Sequence, residues 1–154
     1  MSLFQESSQL PTGRAVLLSI KPRYAELILA GEKTIELRRS WPASGIGVMV
    51  LYSSAPIQRI VGLALVDSVR ETNLEELWHL SSKFGGGVTR DELYEYFVGK
   101  KLAYGVMIKS AEKAEVEVDP KDLFPKFVPP QSFSYLPPAE FNRILAAMFP
   151  KRQS

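Results

Sequence analysis

The sequence predicts an α+β fold, a small mixed or antiparallel β-barrel flanked by helices. Three observations lead there. Apolar runs of strand length and short amphipathic helices follow the order βαβββααββ, with one more helix at the end. There is no succession of βαβ units and no glycine-rich phosphate loop after a strand, which argues against a doubly wound dinucleotide fold. Short strands without parallel crossovers favour a small barrel with helices at its rim.

Each element has a local reason. Residues 1–13 are polar, end in Pro11-Thr12-Gly13 and read as a loose leader. Ala15–Ile20 is an apolar, branched run of strand length. Pro22 opens a helix over residues 22–31, where its missing N–H costs nothing. Tyr24, Leu27 and Ile28 give that helix an apolar side, and Gly31 caps it. Thr34–Arg39 alternates polar and apolar, as a half-buried strand does. Trp41–Gly45 is a turn. Gly47–Ser53 and Ile60–Val69 are strands around the turn at Ser54-Ala55-Pro56. Leu74, Leu77 and Trp78 predict a helix capped by Thr72 or Asn73. Gly85-Gly86-Gly87 is a flexible loop.

Thr89 with Glu92 three residues later is a capping-box pattern, opening a helix whose buried side is Leu93, Tyr96 and Phe97. Leu102–Ile108 and Ala114–Val118 predict two further strands. Residues 119–138 hold Pro120, Pro125, Pro129, Pro130, Pro137 and Pro138, and predict an extended segment over the surface. Phe141, Ile144, Leu145 and Met148 predict a last helix ended by Pro150, with residues 151–154 fraying. The expected organisation is a leader, one domain over 14–118, and a Pro-rich segment plus helix over 119–154 packing on that domain.

Composition narrows the function. The chain has 154 residues, no cysteine and a net charge of +2. Disulfides and thiolate-held metals are therefore excluded. No carboxylate–histidine set suggests a metal, so no cofactor or metal site is expected. The N-terminus lacks a basic n-region and a long apolar core, so it does not read as a signal peptide. No apolar run reaches the ~18 residues of a membrane span. The expectation is a soluble cytoplasmic protein with no membrane partner. Arg14, Lys21, Arg23, Lys33, Arg38 and Arg39 gather in one stretch, against Glu26, Glu32 and Glu36.

That stretch contains the densest chemistry, Gly31-Glu32-Lys33-Thr34-Ile35-Glu36-Leu37-Arg38. Lys33 offers a point charge for a phosphate, or an amine that loses its proton when buried. Arg38 offers a planar fork for a phosphate or a base edge. Glu36 can accept from a base amine, act as a base, or orient Arg38. Residues 36 and 38 share one face of a strand, while Ile35 and Leu37 face inward. Lys33 joins them only if it lies in an irregular turn after Gly31.

Around this motif, Lys21, Arg23 and Tyr24 either line the same cleft or form an ordinary first helical turn. Trp41 either stacks on a base or plugs the barrel end. Ser53, in Tyr52-Ser53-Ser54, either presents a hydroxyl to the cleft or caps a turn. His79 reads as a surface residue, and Phe133 and Tyr135 as packing of the extended tail.

The run Leu18–Arg38 resembles the ASCH domain, a branch of the PUA-like superfamily. The family signature Gly-x-Lys-x-x-Glu-x-Arg is met by Gly31, Lys33, Glu36 and Arg38, after a strand and a helix in the family's order. The resemblance implies a β-barrel flanked by helices, a cleft beside the signature strand and an RNA-related function. Within the family it implies RNA-binding modules in translation or transcription regulation, nucleases, or amidohydrolases of acetylated cytidine.

The sequence departs from the amidohydrolase pattern twice. Glu36 stands where those enzymes have Thr, and Lys83–Gly87 lacks their second carboxylate, for which Glu92 is a displaced substitute. The leading expectation is binding of RNA or a nucleotide by Lys21, Arg23, Tyr24, Lys33, Glu36, Arg38, Trp41 and Ser53. The alternative is a hydrolase in which Lys33 and Glu36 act catalytically. A protein-interaction domain using the Pro-rich segment is a third reading.

Overall fold

The computed structural model describes residues 13–42 and 45–153. Residues 1–12 of the leader expected over 1–13, and the middle of the turn at 43–44, lie outside the described residues.

The chain runs β1 (Arg14–Ile20), α1 (Pro22–Leu29), β2 (Ile35–Arg38), β3 (Ile46–Ser53), β4 (Arg59–Asn73), α2 (Leu74–Phe84), α3 (Arg90–Tyr96), β5 (Leu102–Val118), α4 (Pro120–Leu123), β6 (Phe133–Leu136) and α5 (Pro138–Met148), with a 3-10 turn at Pro150–Gln153. The strands form one six-stranded sheet in the order β2-β5-β4-β3-β1-β6. Only β1 and β3 run parallel; the other neighbours are antiparallel.

The sheet does not close into the expected barrel. Its end strands, β2 and β6, are each four residues long and share no ladder. The physical reason lies on the β6 side. The prolines before and after it supply no N–H, which limits β6 to four residues, and no ladder continues from it to β2.

The expected strands at 102–108 and 114–118 are one strand of 17 residues, pairing along the 15 residues of β4. Register shifts near Val66 let this long antiparallel pair bend without breaking. The Pro-rich segment is not wholly extended either. Asp119 caps the short α4 by accepting from Lys121 N at 3.0 Å. At the end of the chain, Arg152 is not frayed; its guanidinium meets Glu112 at 2.6 Å.

β1 shows how the core is placed. Ala15 and Leu17 pack on one side with Val48, Val50, Phe141 and Met148. Val16, Leu18 and Ile20 pack on the other with Ala25, Ile28, Met49 and Leu51. Burial on both faces explains why the run is continuously apolar rather than alternating. A third cluster, Ile35, Leu37, Leu77, Leu93 and Phe97, seats α2 and α3 against β2.

Candidate functional site

The site begins with the exit from α1. Gly31 adopts φ +79°, a left-handed conformation that glycine reaches without steric cost. The backbone N–H groups of Glu32 and Lys33 both donate to Leu27 O at 3.0 Å, so the chain is still turning at Lys33. Thr34 then anchors to the end of α2, its N and Oγ1 both 2.9 Å from Phe84 O. Lys33 therefore precedes β2 and is free of the strand's alternation. Its side chain joins the face of Glu36 and Arg38.

The three charges form one network on the floor of a cavity of about 520 Å³. Lys33 Nζ lies 3.3 Å from Glu36 Oε1, and Arg38 Nη1 lies 3.1 Å from Glu36 Oε2. All three residues are at most 8% exposed. Lys33 also donates to Gly86 O at 2.5 Å and sits 5.0 Å from the centre of the Tyr24 ring. Burial pulls the Lys33 ammonium below its usual range, while the Glu36 carboxylate pulls it back up.

Arg38 spans the open margin of the sheet. Its Nη2 donates to Ser132 O at 3.1 Å and Ser132 Oγ at 2.7 Å, just ahead of β6. Ser132 O also accepts from Ser19 N at 2.9 Å, and Ser19 Oγ donates to Pro130 O at 2.6 Å. A side chain thus bridges the gap that backbone pairing leaves open.

The opposite wall comes from α3. The capping box seen in the sequence is present: Thr89 Oγ1 accepts from Glu92 N at 3.1 Å, and Glu92 Oε1 accepts from Thr89 N at 2.8 Å. Those bonds hold the Glu92 carboxyl below its usual range. The helix turns Glu92, Leu93, Glu95 and Tyr96 toward the cavity, facing Tyr24 and Lys21. Lys21, Lys33 and Arg38 are matched by Glu36, Glu92 and Glu95, so the lining is close to neutral overall. The buried floor alone carries one positive charge.

Of the residues singled out in the sequence, Lys21, Tyr24, Lys33, Glu36 and Arg38 line this cavity. Arg23 is exposed and donates to Gly87 O at 3.1 Å. Trp41 packs on Phe133, ring centres 6.3 Å apart. Ser53 is buried and lines a separate cavity behind α1.

The sequence did not point to Gly86, Ser132, Glu95 or Tyr96 as site residues. Gly86 had a signal in its run of three glycines. A side chain there would run into Ser81 Oγ on α2, and one at Gly85 into Glu32 O of the motif, so neither position has room for a side chain. Among the described residues no group of His, Asp or Glu side chains is arranged to hold a metal ion. None of their helices is long and apolar enough to cross a membrane.

The chain is 23% identical over 144 residues to the "ASCH domain-containing ribonuclease" of Zymomonas mobilis, covering 90% of this chain and 95% of that protein. It is 25% identical over 128 residues to the large ribosomal subunit protein uL22 of Ureaplasma parvum, covering 81% of this chain but 40% of that one. The crystal structure of ASCH from Zymomonas mobilis superposes with a TM-score of 0.80 at 21% identity, over 86% of this chain and 94% of that one. A mutant form of the same protein gives 0.78 at 22% identity, over 90% and 99%. These likenesses show a shared fold. The ASCH domain model matches residues 18–118, which include the end of β1, α1, the signature and the long β4–β5 pair, and on that match the chain belongs to the ASCH domain family.

Proposed function

We propose that this protein binds single-stranded RNA or a nucleotide, taking one base into the cavity between α1, β2 and α3. The observation that carries this is the cavity's composition. Two tyrosines, Tyr24 and Tyr96, line it over a buried floor with one net positive charge. Its volume of about 520 Å³ lies within the range of small-ligand sites. Aromatic rings stack on any base, contributing roughly 1–3 kcal/mol each.

The near-neutral lining favours a base inside and phosphates at the rim, where Lys21 is exposed. Glu92 and Glu95 suit the amino groups of a base rather than a phosphate. The names of the two relatives, a ribonuclease and a ribosomal protein, support an RNA ligand.

The test is fluorescence anisotropy with a labelled single-stranded oligoribonucleotide at low salt. Lys33→Met should weaken binding roughly tenfold or more, the effect of losing one charge-assisted hydrogen bond. Affinity should also fall as salt rises. Unchanged affinity in a variant whose circular dichroism matches the wild type would sink the reading.

A second reading, ribonuclease action in the same cavity, is favoured by the printed name of the Zymomonas relative. There the Lys33 ammonium would stabilise charge on the phosphate under attack. Incubation with end-labelled RNA separates the two: cleavage lost in Lys33→Met supports the enzyme, and intact RNA with retained binding supports the module.

A further inference from the structure

We infer that the cavity is one end of a longer track, and that an RNA strand leaves it over the turn between α3 and β5, its phosphates meeting Arg39, Lys100 and Lys101. This rests on the reading of the cavity as an RNA site and extends it from one nucleotide to a strand.

Three elements build the track. Arg39, just after β2, is exposed and donates from Nη1 to Tyr96 O at 2.6 Å and to Val98 O at 3.5 Å. That staples a cation to the C-terminal end of α3, beside Tyr96. Lys100 and Lys101 follow in the same turn, both exposed. Tyr96 belongs to both places: it lines the cavity, yet it is 50% exposed. Beyond it, Val98 is 71% exposed and Leu102 50%.

An ordinary solvated turn would not display an aromatic and two large aliphatic side chains among three cations. A packing face would not carry the cations. The combination of a stacking ring, apolar floor and unshielded basic side chains is that of surfaces that follow a single strand. Over residues 95–102 the acidic side chain is Glu95, which turns into the cavity. The near-neutral cavity accounts for the base, and the basic turn for the backbone that a base in a strand brings with it.

The experiment compares a mononucleotide with a single-stranded hexanucleotide, by isothermal titration calorimetry across a salt series. Wild-type protein should bind the hexamer roughly tenfold tighter at low salt, because added phosphate contacts release counterions. Lys100→Ala/Lys101→Ala should lose most of that gain and flatten the salt slope by about 1.4, at ~0.7 per lost single-strand phosphate contact. The backbone of the turn should tolerate the change, since Lys100 N donates to Phe97 O at 2.9 Å whatever the side chain.

Lys121→Ala/Lys126→Ala is the control, removing two exposed cations near α4, where Leu123, Phe124 and Phe127 pack on the cluster of Ala15 and Leu17. It should leave the hexamer gain intact. Equal wild-type affinity for mononucleotide and hexamer would overturn the track while leaving the cavity reading standing. So would equal losses in the two double variants. Binding of neither probe would overturn the cavity reading and the track together.

Discussion

Replacing Arg38 with Met should cost about 3 kcal/mol of folding stability. Breaking a buried ion pair by removing one partner costs roughly 3–5 kcal/mol, because a charge is left buried and uncompensated. Here the lower end applies. Glu36 keeps Lys33 at 3.3 Å from Oε1, and only Oε2, 3.1 Å from Arg38, is orphaned. Ser132 O keeps its bond from Ser19 N at 2.9 Å, so the backbone there stays satisfied.

For a chain of 154 residues that loss lowers Tm by roughly 6–12 °C. The decisive comparison is the triple variant Lys33→Met/Glu36→Leu/Arg38→Met. With all three charges gone no buried charge is orphaned; the polar groups that lose a partner are Gly86 O, which lines the cavity and can reach water, and Ser19 O and Ser132 Oγ, both on half-buried residues. Apolar replacement of buried ion pairs is neutral or stabilising by roughly 1–4 kcal/mol. The triple variant should therefore be as stable as the wild type or more so, yet bind no RNA.

Urea unfolding followed by the fluorescence of Trp41 and Trp78, with anisotropy for binding, reads both quantities. A triple variant as unstable as Arg38→Met alone would refute the reasoning, since the loss would then not come from an unpaired buried charge.

Gly86→Ala should cost roughly 1–3 kcal/mol by overpacking, because the new Cβ meets Ser81 Oγ and lies 2.9 Å from Ser81 Cβ. Ser81→Ala should be neutral or mildly stabilising, since Ser81 Oγ is buried without a hydrogen-bond partner; thermal unfolding of both variants checks the pair, and a harmless Gly86→Ala would show that the loop yields freely. Lys33 supplies a pH signature. Its folded pKa lies below the ordinary 10.5, so between that lowered value and 10.5 the unfolded chain binds more protons than the native one. Stability of the wild type relative to Lys33→Met should therefore rise with pH across that window and be level below it. Burial raises Tyr24 and Tyr52, which act in the opposite sense above pH 10.0 but in both proteins, so the difference isolates Lys33. A flat difference in urea titrations up to about pH 10.5 would remove Lys33 as a buried ammonium.

What the sequence determined by itself was local. Pro22 at the start of α1, Gly31 after it and the Thr89–Glu92 capping box are each satisfied within a few residues, so the amino acids on the spot declare them. The signature was legible for the same reason: residues 36 and 38 share a strand face, and a turn after Gly31 was the condition for Lys33 to join them. Tertiary structure decided what those charges meet. Lys33 finds Gly86 O 53 positions away, and Arg38 finds Ser132 94 positions away. No periodicity encodes such partners, because they depend on how α2 and the Pro-rich segment settle on the sheet.

β6 shows the same division. Phe133–Leu136 is four residues among prolines, too short for periodicity to declare a strand, and it is one because it pairs with β1. The open sheet has a related cause. Strand length and alternation are written in the chain, but whether two edges meet depends on the summed twist and bend of the strands between them, and here a guanidinium spans the gap that the backbone leaves.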